Sequence, residues 1–173
     1  TVNALGTKYI ANACKQVGCK MMYISTDYVF DGQGEMPWEP DCKDYKPLNV
    51  YGQTKLEGEL AVSSTLSDYF IVRIAWVFGV NGNNFVKTMT KLGQERKELS
   101  VVSDQHGSPT YAVDLASIIK QAIDKKIPYG IYHATNDDYV FTPPIHNIGF
   151  FNFIIFIFFI VNIKKDYAII GKI

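Results

Sequence analysis

Tyr51 and Lys55 stand four residues apart just after Asn49, a residue that can cap a helix, so their side chains share one helical face about one turn apart. A phenol with an ordinary pKa of about 10 exchanges a proton poorly at neutral pH, and an ammonium beside it favours the phenolate. Lys55 can supply that charge, and Tyr51 can then act as general acid toward a carbonyl oxygen while hydride arrives at the carbon. With 11 Tyr and 17 Lys plus Arg in 173 residues, about one Tyr-to-basic pair at this spacing arises by chance, so the pair needs its surroundings to carry weight. Those surroundings are an apolar run, Met21 to Ile24, that empties into Ser25-Thr26-Asp27 about 25 residues upstream. In open parallel sheets ligands sit beyond the carboxyl ends of strands, which is where Thr26 falls, able to hydrogen-bond the same oxygen. Without the neighbouring pair, Thr26 reads as an ordinary loop hydroxyl.

The elements that would position these residues can be read in order. Apolar residues at Val2, Leu5, Tyr9, Ala13 and Val17 recur every three to four positions and Gly18 follows, which predicts an amphipathic helix ending there. Met21 to Ile24 predicts a buried parallel strand, and Asp31 to Pro47, with its prolines and glycines, an extended surface loop. A helix is predicted from Val50 to about Ser63, a strand from Phe70 to Phe78, a helix from Phe85 to Arg96, a strand from Leu99 to Val102, a helix from Ala112 to Lys125 and a strand from Ile131 to Ala134. Strands alternating with helices of this length predict an α/β fold, a Rossmann-like doubly wound parallel sheet.

Composition narrows the partners. Lys plus Arg and Asp plus Glu each count 17, so no long-range field recruits nucleic acid or an anionic membrane, and any phosphate binding must be local. Cys14, Cys19 and Cys42 do not make a zinc set and read as buried free thiols in a reducing compartment. The first residues lack the pattern of a secretory signal, so a cytoplasmic location is the expectation. His106, His133 and His146 are scattered, which favours structural or surface roles over ligation.

Ile24-Ser25-Thr26-Asp27-Tyr28-Val29-Phe30-Asp31-Gly32, followed by Pro47-Leu48-Asn49-Val50-Tyr51-Gly52 and Lys55, resembles the extended short-chain dehydrogenase/reductases, and within them the dTDP-4-dehydrorhamnose reductase family. Arg73-Ile74-Ala75-Trp76-Val77-Phe78-Gly79, Gly82 to Met89, Asp104-Gln105 and Gly107-Ser108-Pro109-Thr110 extend the likeness in order from about Thr1 to Val140. The resemblance implies that Tyr51 donates the proton, that Lys55 also holds the nicotinamide ribose of NADPH or NADH, and that Thr26 tunes the transfer. It further implies that Thr26, Asp27 and Trp76 contact a dTDP-sugar, with Tyr28 nearby, while Gln105 and Asn84 lie in segments on the nucleotide-sugar side and rank below these. Trp76, read without the resemblance, is an ordinary core aromatic. The implied reaction is reduction of dTDP-4-dehydro-L-rhamnose to dTDP-L-rhamnose, with a homodimer as the option for a complete protein.

Three other readings compete. A nucleotide-sugar dehydratase resembles this chain but places Glu after the Thr-Asp pair, where Tyr28 stands here, and a neutral phenol replaces that carboxylate poorly. The regulatory subunit of methionine adenosyltransferase, a non-catalytic NADP-binding relative, looks similar through the Tyr-Lys segment, and Trp76 favours the reductases over it. The third reading is an inactive fragment. No Gly-x-x-Gly-x-x-Gly loop, whose amides would bind a cofactor pyrophosphate, occurs between a first strand and helix. Residues 1–140 therefore read as the catalytic and C-terminal part of an N-terminally truncated reductase, with an incomplete sheet, an exposed apolar edge and poor cofactor binding on its own. Residues 141–173 form an atypical tail: 20 of the 25 residues from Gly149 to Ile173 are Phe, Ile, Asn, Lys or Tyr. Their codons are AT-rich, which suggests a shifted or non-coding frame. The alternative, a membrane anchor, is weakened because Gly149 to Ile163 falls short of the roughly 20 residues a spanning helix needs.

Overall fold

The computed structural model describes residues 1–33, 36–96, 105–136, 140–141 and 167–170. The chain forms two compact units, Thr1–Ile74 with Ala122–Ala134 and Ile169–Ile173, and Ala75–Gln121 with Thr135–Ala168.

In the first unit a π-helical stretch, Val2–Gly6, runs into helix α1 (Thr7–Val17), which stops at Gly18. Strand β1 (Met21–Thr26) leads to a short 3-10 turn at Asp27–Val29, and helix α2 (Val50–Thr65) follows the extended loop. Strand β2 (Tyr69–Ile74) then pairs in parallel with β1.

The second unit continues with strand β3 (Val77–Phe78), helix α3 (Phe85–Glu95), strands β4 (His106–Gly107) and β5 (Thr110–Tyr111), and helix α4 (Ala112–Asp124). After it the chain returns to the first unit with most of strand β6 (Gly130–Asn136), and strands β7 (Val140–Phe141) and β8 (Tyr167–Ile170) follow. The main sheet has the order β1-β2-β6-β8, with β2 and β6 also parallel. A second parallel pair joins β3 to β5, and β4 pairs antiparallel with β7. This is the α/β, Rossmann-like architecture expected from the alternation of strands and helices. Among the described residues no helix is long and apolar enough to cross a membrane.

Register organises the face of the main sheet in rows. Tyr23, Ile71 and Ile131 stand side by side across β1, β2 and β6, and two positions further on stand Ser25, Arg73 and His133. The first row joins an apolar cluster with Ala11, Met21 and Val62, so α1 and α2 are held by ordinary burial of hydrocarbon. The second row is polar and lies at the end of the strands where Thr26 sits.

Several expectations are corrected. The predicted apolar stripe of α1 faces outward: Val2, Leu5, Tyr9 and Val17 are exposed, while Thr7 and Ala11 are buried. Close helix packing selects small groups at that contact. The same tightness shows at Gly58 of α2, where a Cβ would overlap the Tyr23 hydroxyl and the Asn3 carbonyl. The single strand predicted over Phe70 to Phe78 is broken, because Trp76 adopts a left-handed φ of 45° between β2 and β3. Of the thiols expected to be buried, Cys19 is exposed and Cys14 and Cys42 are partly buried, all three free. The strand predicted at Leu99 to Val102 lies outside the described residues, as do His146 and most of the tail.

Candidate active site

Asn49 begins the construction. Its side chain accepts a hydrogen bond from Gly52 N at 2.8 Å, satisfying one of the unpaired amides at the start of α2. Gly52 is then pressed against the preceding segment so closely that a Cβ there would overlap the Tyr28 carbonyl and lie 3.1 Å from Pro47 Cβ. The first turn of α2 is thereby brought against the turn that follows β1. Tyr51, in that first turn, meets Tyr28 edge to face, with ring centroids 6.0 Å apart at 82°. Tyr51 remains 50% exposed, so part of the side chain is open to solvent.

One turn on, Lys55 Nζ donates to the Ile24 carbonyl at 2.5 Å and lies 4.1 Å from the centroid of the Tyr23 ring. Burial lowers its pKa from the ordinary lysine value, and the charge of Glu59 pulls the other way. Thr26, buried at the end of β1, donates its hydroxyl to Asp27 Oδ1 at 2.9 Å and accepts from Tyr28 N at 3.3 Å. Burial raises the Asp27 carboxyl above the ordinary carboxylate range, partly offset by the Thr26 hydroxyl and by backbone amides. Thr26, Asp27, Tyr28, Tyr51 and Lys55 therefore belong to one unit. The Tyr28 and Tyr51 rings touch, and β1 joins Lys55 to the Thr26 end.

Trp76 belongs to the second unit. It is half-buried, and its ring packs on Gly107, where a Cβ would stand 3.0 Å from Cε2. Its carbonyl accepts from Thr110 N at 3.3 Å, and the preceding Ala75 carbonyl accepts the Thr110 hydroxyl at 2.6 Å, which fixes the left-handed turn from both sides. Asn84 caps α3, accepting from Lys87 N at 3.1 Å and donating to the Gly79 carbonyl at 2.8 Å. Gln105 is exposed.

Beneath α2 the structure adds a network absent from the sequence reading. Arg73 donates from Nε to Glu59 Oε1 at 2.9 Å and from a terminal nitrogen to Glu59 Oε2 at 2.7 Å, a buried bidentate pair. Its remaining donors reach Tyr45 Oη at 3.2 Å, the Pro40 carbonyl at 3.4 Å and His133 Nε2 at 3.4 Å. The five guanidinium donors are thus all used. Burial, and then the Arg73 charge, pushes His133 down to about 4, so it is neutral and its Nε2 can accept from Arg73. Glu59 lies eight residues beyond Tyr51 and four beyond Lys55, on the same face of α2. The network pins that helix to β2 and ties the loop around Pro40 and Tyr45 to the sheet. A charged residue inside the otherwise apolar run Phe70 to Phe78 was the available sequence signal. Ser25 Oγ, buried at the end of the same row, has no hydrogen-bond partner among the described residues.

A parallel sheet with Thr26 at a strand end, and a helix presenting Tyr51 and Lys55 beside it, defines a Rossmann-like domain of the short-chain dehydrogenase/reductase type. The profile of the RmlD substrate binding domain matches residues 1–143, and the chain belongs to that family. It is 46% identical over 137 residues to the dTDP-4-dehydrorhamnose reductase of Escherichia coli K12, covering 76% of this chain and 45% of that protein. It is 43% identical over 135 residues to the spore coat polysaccharide biosynthesis protein SpsK of Bacillus subtilis 168, covering 78% of this chain and 47% of that one. Among solved structures, a dTDP-4-dehydrorhamnose reductase from Bacillus anthracis Ames, in complex with NADP, superposes with a TM-score of 0.77 at 43% identity, over 94% of this chain and 54% of that one. The chain thus spans about half the length of the curated relatives it matches.

Proposed function

We propose that the complete polypeptide to which this segment belongs is an NADPH- or NADH-dependent reductase, acting in the cytoplasm on dTDP-4-dehydro-L-rhamnose to give dTDP-L-rhamnose. The observation that carries the reading is the placement of Tyr51 and Lys55 on one face of α2, with the Lys55 ammonium at the Ile24 carbonyl and Thr26 closing the same strand. The names of the relatives favour this over a non-catalytic regulatory subunit.

The residues present fit a nicotinamide cofactor at its reactive end: Lys55 uses one of three N–H donors on Ile24, leaving donors for ribose hydroxyls, and Tyr51 is half-exposed. When bound, that group supplies the hydride. Tyr51 then gives its proton to the sugar oxygen, the neighbouring Lys55 charge stabilises the phenolate left behind, and the Thr26 hydroxyl, turned away from Asp27 Oδ1, donates a second hydrogen bond to the same oxygen. Asp27, Tyr28 and Trp76 are proposed to contact the dTDP-sugar. Residues 1–140 are proposed as the reductase portion and 141–173 as a tail to it, of which β8 lies beside β6 in the main sheet. The test is consumption of NADPH or NADH by the complete polypeptide supplied with dTDP-4-dehydro-L-rhamnose, with the product identified by NMR. Formation of dTDP-L-rhamnose is expected, and no consumption above the substrate-free rate would sink the proposal.

A further inference from the structure

Gly18 ends α1 in the left-handed region, at φ 68° and ψ 29°. Immediately beyond it, Cys19 N donates to the Cys14 carbonyl at 2.9 Å. A hydrogen bond of this span around a left-handed glycine is a Schellman closure, and it characteristically brings the side chains of its two end residues together. Here both end residues are cysteines, and both are free thiols. The Cys14 thiol is raised above its ordinary value first by the neighbouring Cys19 thiol and then by burial. Cys14 is partly buried and Cys19 exposed, so a reagent arriving from solvent meets Cys19 first. Cys42 packs elsewhere, against the cluster of Val29, Phe30 and Leu56.

We propose that Cys14 and Cys19 form a dithiol modification site that a peroxide closes to an intramolecular disulfide. The Cys19 sulfur attacks the peroxide O–O bond, giving a sulfenic acid at Cys19 and one water. The Cys14 sulfur then displaces hydroxide from that sulfenic acid, its thiol proton leaving with the hydroxide as a second water. The two thiols lose two electrons, which hydrogen peroxide takes up. Because the Schellman turn holds the pair before oxidation, the second step needs no unfolding. The bond staples the end of α1 to the turn that enters β1. The inference is independent of the reductase reading, since neither thiol belongs to the Tyr51 site.

Trypsin separates the pair, because cleavage after Lys15 puts Cys14 in peptide Tyr9–Lys15 and Cys19 in Gln16–Lys20. The folded chain would be treated with hydrogen peroxide, its free thiols alkylated, and the digest read by mass spectrometry without reduction. The two peptides should appear joined by one disulfide, equally in a Cys42→Ser variant, and at a rate at least about fivefold above that in urea. Gly18→Val should slow the joining, since a Cβ at Gly18 meets nothing within 4 Å and the only change is backbone strain in the left-handed turn. Separate alkylated peptides, a bridge to Cys42 instead, or equal rates in native buffer and urea would overturn the proposal.

Discussion

The setting of Lys55 works against its charge. Burial lowers its pKa, and the partial compensation comes from Glu59 one turn further along α2. If the Lys55 ammonium supports the phenolate of Tyr51, turnover of the complete polypeptide must fall once that ammonium loses its proton. The alkaline limb of kcat is therefore expected below the ordinary lysine value of about 10.4, read from a pH–rate profile, and a limb at or above that value would contradict the assignment. The shared face of Tyr51 and Lys55 was legible in the sequence because helical spacing sets it, while the choice of this pair as a candidate rested on Thr26 upstream and on the family motifs. Arg73 was not legible, because its partners Glu59, Tyr45, Pro40 and His133 come from three separate segments, a helix, a loop and a strand, that only the fold assembles. Trp76 was legible as a site candidate through family likeness, but its left-handed backbone was not, because that depends on Thr110 holding the carbonyls on either side of the turn.

Helix α2 is the element on which the site depends, and its sequence declares it at both levels. Asn49 caps it, and Gly52 allows its first turn to lie against the Tyr28 carbonyl. Gly52→Ala should force those two backbones apart, costing about 1–3 kcal/mol of stability in a denaturant titration and displacing Tyr51 from Tyr28. A stability within about 0.5 kcal/mol of the parent would show the contact to be looser than the geometry indicates. The boundaries of α2, α3 and α4 follow the sequence expectation closely, since caps and periodicity are local signals. The burial of α1 does not. Periodicity located its stripe of large apolar residues correctly, but the packing partner α2 selected Thr7 and Ala11 instead.

For the chain as a whole, His133 makes stability depend on pH. Its folded value of about 4 lies below the ordinary 6.5, so between those values the unfolded state binds the extra proton. The contribution is complete above about pH 6.5 and is lost as pH falls through the folded value, amounting to roughly 3 kcal/mol. Asp27, with its raised carboxyl, works in the opposite sense, so the comparison must be with His133→Gln rather than with the parent at another pH. Urea titrations from pH 7 to pH 4 should show the parent losing stability more steeply than that variant, and parallel slopes would remove His133 from the account. The α/β class and the parallel pairing were legible across the chain, because alternating strands and helices leave few other arrangements. The two-residue strands β4, β5 and β7 were not, being too brief for a periodic pattern, and β8 lies in the tail whose composition was read as a shifted frame. The central claim remains that Tyr51 is the proton donor of a reductase. Its most direct test is Tyr51→Phe in the complete polypeptide, with hydride transfer followed by NADPH absorbance and dTDP-sugar affinity measured separately. Turnover is expected to fall by about 10²–10⁴-fold with sugar binding nearly unchanged, whereas unchanged turnover would contradict the claim.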